Sequence, residues 1–148
     1  MKDLKSLYET DYALWLDRTI ADLKERKLDT IDWENLVEEI DALSKSEKRA
    51  LRSYLRQLLL HLLKRKYVTI PNCYNGWERE ITNFRLEITL CLKDSPSLYN
   101  YFYEIFPDVF QEALMLLTKD KDYDRFAFPK ECPFPSDPDR LLNDIFWE

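Results

Sequence analysis

From about Asp11 to Lys27, the apolar residues Tyr12, Trp15, Leu16, Ile20 and Leu23 return every three or four positions, the spacing that sets side chains on one face of a helix. Asp29 to Asp32 then offers oxygens that can accept from unpaired first-turn amides, so a second helix is predicted to start near Trp33. From there Leu36, Ile40, Leu43, Leu51, Tyr54, Leu55, Leu58, Leu62 and Tyr67 hold one stripe as far as Tyr67, with no proline or glycine to interrupt it. Glu47 falls inside that stripe, and Ser44-Lys45-Ser46-Glu47 reads as a capping box. The pattern is therefore compatible with one continuous helix or with a break near Ser44. Pro71 and Asn75-Gly76 predict a reversing loop over Tyr67–Asn75, after which Trp77, Ile81, Phe84, Ile88 and Cys91 mark another amphipathic helix. Ser95-Pro96 reads as a cap followed by proline at the first helical position. The helix it opens carries Leu98, Tyr101, Phe102 and Ile105. Pro107 either kinks that helix or begins a further segment with Val109, Phe110, Ala113, Leu116 and Leu117.

Beyond Lys121 the texture changes. Pro129, Pro133, Pro135 and Pro138 alternate with Phe126, Phe128 and Phe134, which predicts an extended strap packed on the helices rather than a solvated tail. A short helix from Pro138, capped by Asp137 and carrying Leu141, Leu142 and Ile145, is expected to end it. The expectation is an all-α, single-domain bundle of about five helices over residues 1–121, with the strap and terminal helix over 122–148. At 148 residues one core suffices.

Composition narrows the function classes. A single glycine leaves no material for the phosphate loops and dinucleotide-binding turns of nucleotide folds. The N-terminus shows no charged-then-apolar leader, and the strongest apolar run, Leu58 to Leu63, is far short of the roughly 20 residues of a membrane span. Cys73, Cys91 and Cys132, odd in number and unpaired in spacing, suit free thiols in a reducing, cytoplasmic compartment. A net charge of −6 disfavours nucleic acid and anionic membrane as partners. The charge is also segregated: residues 29–44 carry six acids and no Lys or Arg, whereas residues 45–66 carry eight Lys or Arg and one acid. From Asp94 onward there are twelve acids and five bases, so any basic surface has an acidic partner within the chain.

Several runs carry a resemblance. They are Leu7-Tyr8 with Asp11 and Trp15, Asn35-Leu36-Val37-Glu38-Glu39-Ile40, and Leu59-Leu60-His61-Leu62-Leu63-Lys64 with Tyr67. Trp77, Ser95-Pro96-Ser97-Leu98, Phe128-Pro129 and Cys132-Pro133 follow in order. Together they resemble a bacterial, largely cyanobacterial family known as domain of unknown function number 29, along nearly the whole chain. The resemblance implies a small, all-helical cytosolic protein and assigns no activity. Members of that family often have an arginine after the alanine matching Ala113, where this chain has Leu114, so no role for that arginine transfers.

Four constellations could carry chemistry. Glu34, Glu38 and Asp41 share one helical face and could present carboxylates to a metal or to acid–base work. Acids near a helix start, with an Asp41–Lys45 pair four residues apart, are equally what helix electrostatics favours. Lys45, Lys48, Arg49, Arg52 and Arg56 form a basic stripe suited to solvent, to a protein partner or to the acidic C-terminal third. His61 is the only histidine, and Arg56-Gln-Leu-Leu-Leu-His61 is similar to the Arg-x4-6-His spacing of metal-independent helical RNases of the HEPN type. Five residues turn a straight helix by about 140°, however, which favours a His61 hydrogen-bonded within the bundle. The three cysteines lack metal-ligand spacing, so no metal or other cofactor is expected. An exposed cluster among Trp15, Trp33 and Trp147 would mark an interface. Taken together these features favour a non-catalytic module that binds a protein or itself, with the Arg56–His61 RNase as the alternative. Whether a small molecule binds is left open by the sequence.

Overall fold

The computed structural model describes residues 3–148, and among these there are six α-helices and no strand. The fold is all-α. The chain divides into two compact units, one ending at Ser46 and the other running from Glu47 to Glu148.

In the first unit α1 (Leu4–Thr10) and α2 (Tyr12–Lys24) meet at Asp11. Asp3 caps α1 by accepting from the Ser6 amide at 2.8 Å, and Asp11 caps α2 by accepting from the Leu14 amide at 3.1 Å. Only the second of these helices is visible in the apolar period, because α1 buries a single residue, Leu7. On α2 the buried positions are Trp15 and Thr19, whereas Tyr12, Ile20 and Leu23 of the expected stripe are exposed. The helix ends three residues before the expected Lys27. The Lys27 amide donates to the Asp22 carbonyl at 2.8 Å and the Arg26 amide to Leu23 at 3.2 Å, a Schellman closure that turns the chain sharply. Its left-handed residue is Arg26, with φ of 58°. A 3-10 turn over Leu28–Thr30 leads to α3 (Trp33–Tyr67), which begins where Asp32 predicts it.

Helix α3 is unbroken from Trp33 to Tyr67, so the capping-box reading at Ser44 does not hold. Glu47 does not reach back to an amide. Its carboxylate instead accepts from the Ser95 hydroxyl at 3.2 Å, which gives an acid in an apolar stripe a polar partner without ending the helix.

In the second unit the last turns of α3 are buried on several sides, with Leu51, Leu55, Leu58, Leu59, Leu62 and Leu63 all fully covered. They pack in one core with Ile81, Ile88 and Leu92 of α4 (Pro71–Asp94) and with Phe102, Val109, Phe110 and Ala113 of α5 (Leu98–Thr118). Two expectations about boundaries are corrected here. Helix α4 starts at Pro71, whose missing amide costs nothing at the first helical position, so Asn75-Gly76 lies inside a helix rather than in a turn. Asn and Gly disfavour helix by roughly 1.5 kcal/mol together, less than burial of Trp77 and Ile81 returns. Likewise α5 begins at Leu98, two residues after Pro96, and continues past an exposed Pro107 because Phe106, Val109 and Phe110 are anchored in the core.

The C-terminal segment behaves as the strap its composition predicts. Phe134 is buried, Phe128 and Cys132 pack against the core, and α6 (Pro138–Asn143) buries Leu141, ending two residues before Ile145. The Arg85 guanidinium ties it down by donating to the Asp144 carbonyl at 2.6 Å. Arg65 lies 3.8 Å from the Tyr74 ring centre and 5.6 Å from that of Trp147, and the Lys64 ammonium lies 4.6 Å from the Tyr123 ring centre.

Candidate functional site

The basic stripe on α3 is largely engaged within the chain. Arg52 and Arg56 both reach Glu112 on α5, the second at 3.1 Å from Nη1 to Oε1. The Lys48 ammonium sits 5.5 Å from the Tyr101 ring centre, Lys45 pairs with Asp41 at 2.9 Å, and Arg49 is exposed. Glu112 carries no signal of its own in the sequence. Two guanidiniums four residues apart do call for a carboxylate, and the acidic C-terminal third supplies many, but the spacing does not say which one.

Arg56 and His61 are drawn to different helices. While Arg56 holds Glu112 on α5, the half-buried imidazole packs 5.5 Å from Phe84 on α4. Its Nδ1–H donates to the Gln57 carbonyl at 2.7 Å. Burial pushes the imidazole below its ordinary value, and Lys64 adds to that, while the Gln57 carbonyl opposes it.

Beside Glu47 lies a cleft of about 340 Å³ lined by Glu87, Asp94, Ser95, Tyr54, Leu90 and Cys91 among others. Cys91 is half-buried at the edge of the core, and burial, followed by the charges of Glu87, Asp94 and Glu47, pushes its thiol up and away from reactivity. All three cysteines are free thiols. Among the described residues no three His, Cys, Asp or Glu side chains are arranged to hold a metal ion. Among them, too, no helix is long and apolar enough to cross a membrane.

The first unit carries a different kind of site. Along α3, Trp33, Val37, Ile40 and Leu43 are exposed to 51%, 62%, 58% and 67%. They continue the stripe that α3 buries from Leu51 onward, and Val37 belongs with them although the period had not singled it out. One flank of this row is closed. Asp32, only 9% exposed, accepts from Trp15 Nε1 at 3.3 Å and from Asn35 Nδ2 at 2.6 Å. Glu39 accepts from the Tyr12 hydroxyl at 2.6 Å and from that of Tyr8. The Glu39 carboxylate holds the Tyr8 phenol protonated, its pKa pushed up to about 12.

The other flank is open. Glu34, Glu38 and Asp41 each follow an apolar member of the row, so the acidic row runs parallel to it, roughly 100° round the helix. Glu34 pairs with Lys5 at 2.9 Å, both side chains well exposed. Of the three tryptophans that could mark an interface, Trp33 is the exposed one, while Trp15 is buried and Trp147 half-buried.

A family model described as "Domain of unknown function DUF29" matches residues 7–147. The chain belongs to the DUF29 family. The match runs from within α1 to Trp147, so in this DUF29 chain it takes in most of both units. No curated protein and no solved structure matches it.

Proposed function

We propose that this DUF29 chain is a non-catalytic, cytoplasmic protein-interaction module that docks its partner on the exposed row Trp33, Val37, Ile40 and Leu43 of α3. The observation that carries the reading is the exposure of four large apolar side chains in line on one helix, with one flank closed by Tyr8, Tyr12 and Trp15. Isolated exposed leucines are ordinary on protein surfaces, but a contiguous row of this length is the form in which helices present docking faces. Free thiols suit a reducing compartment. The acidic balance of the chain argues for protein rather than nucleic acid on the other side.

The RNase alternative draws no support from the geometry. It asks Arg56 and His61 to converge on one phosphate, yet Arg56 is turned to Glu112 and His61 to Gln57 and Phe84.

Light scattering together with crosslinking in native extract tests the docking reading, using the wild-type chain and an Ile40→Glu, Leu43→Glu double variant. A complex formed by the wild type and lost in a variant that keeps its helical circular dichroism is the expected result. A strict monomer that crosslinks to nothing would overturn it.

A further inference from the structure

The docking face carries information about its occupant as well as its existence. Every apolar residue from Trp33 to Ile40 in the row is followed by a carboxylate, giving Trp33-Glu34, Val37-Glu38 and Ile40-Asp41. A partner lying along the apolar row therefore meets, on the open side, a parallel line of negative charge. On the closed side the carboxylates of Asp32 and Glu39 are already engaged, by Trp15 and Asn35 and by Tyr8 and Tyr12. Among the described residues two cations approach the acidic row, Lys5 at Glu34 and Lys45 at Asp41, but both pairs are more than half exposed. Ion pairs of that kind contribute little and exchange readily for better partners.

Resting on the docking reading above, we infer that the occupant is an amphipathic helix whose apolar stripe is flanked by Lys or Arg. Charge complementarity selects it. Residues 1–46 hold twelve acids against seven bases, so a second copy presenting this same face would set its own carboxylate row beside the first. Like charges so placed disfavour self-pairing, whereas a basic-flanked helix buries its stripe on Val37, Ile40 and Leu43 and neutralises the open flank at once.

The test uses two synthetic helical peptides of about 18 residues, five turns, with one Leu/Ala stripe in common. One is flanked by Lys and the other by Glu, and the full chain reports binding through fluorescence anisotropy of the labelled peptide. The Lys peptide is expected to bind at least tenfold more tightly than the Glu peptide, with a difference that shrinks as salt is raised. Ile40→Glu should weaken the Lys peptide at least tenfold, and the pair Glu38→Lys with Asp41→Lys should reverse the preference while circular dichroism stays unchanged. If both peptides bind equally and Ile40→Glu abolishes both, the inference about charge fails and the docking reading survives. If neither binds and the chain self-associates through Ile40, a second copy is the occupant and the inference is overturned. If neither binds and the chain neither self-associates nor crosslinks, both readings fall.

Discussion

His61 donates its Nδ1–H to the Gln57 carbonyl of its own helix and packs against Phe84, and its burial there makes folding favour the neutral imidazole despite that hydrogen bond. Its pKa is lowered by burial first, which means that the unfolded chain takes up the proton more readily. The stability linked to this group is fully present above the ordinary histidine value of 6.5 and is lost as pH falls through the lower folded value. Melting the wild type and His61→Gln side by side between about pH 8 and pH 5 isolates the effect. The wild type should lose up to about 1.4 kcal/mol per pH unit more than the variant within that window, the limit set by one proton. Parallel slopes would show that the imidazole titrates as it does in the unfolded chain. Nothing in the sequence pointed to Phe84 as the neighbour. The run of leucines around His61 indicated burial among helices, but which helix faces it depends on how α4 is placed, and spacing within α3 cannot say that.

Helix α3 shows how far periodicity carries and where it stops. The stripe from Trp33 to Tyr67 was legible because 3.6-residue spacing persists without a breaker, and the helix matches it end to end. Glu47 left the continuity open, since a capping box and a polar partner on a neighbouring segment both accommodate an acid there. Only the position of Ser95, 48 residues away, decides between them. Proline at residue 45 separates the two cases in solution. At the first position of a new helix Lys45→Pro would be tolerated, whereas inside a continuous helix it removes a hydrogen bond and clashes with the preceding turn. A loss of about 3 kcal/mol or more in denaturant unfolding is expected, with reduced helical circular dichroism. The same competition explains Asn75-Gly76 and Pro107, where local turn and breaker signals are overruled by buried residues, Trp77 and Ile81 after the first and Phe106 and Val109 around the second.

At the scale of the whole chain, fold class and the strap were readable from composition and period, while the exposed row on α3 was only half readable. The pattern marked Ile40 and Leu43 as apolar, and apolar residues in period are ordinarily read as core. Whether a stripe is covered depends on what the rest of the chain provides, and α1 and α2 cover only one flank. Paired truncations measure the difference. Leu58→Ala should cost about 2–5 kcal/mol because a fully buried side chain is removed. Ile40→Ala, on the same stripe, should stay within about 0.5 kcal/mol. Equal losses on chemical denaturation would mean that Ile40 is covered after all. The one glycine of the chain does not stand where a glycine is needed. Gly76 stands in the second turn of α4 with nothing within 4 Å of where a Cβ would be, and the left-handed corner that suits glycine is filled by Arg26. Exchanging the two residues leaves length, mass, net charge and amino-acid content identical. It should nonetheless raise stability by roughly 1.5–2 kcal/mol, about half from relieving the backbone at 26 and half from a better helix former at 76. A higher melting temperature in that permuted chain would be stability obtained from order alone, with composition held constant.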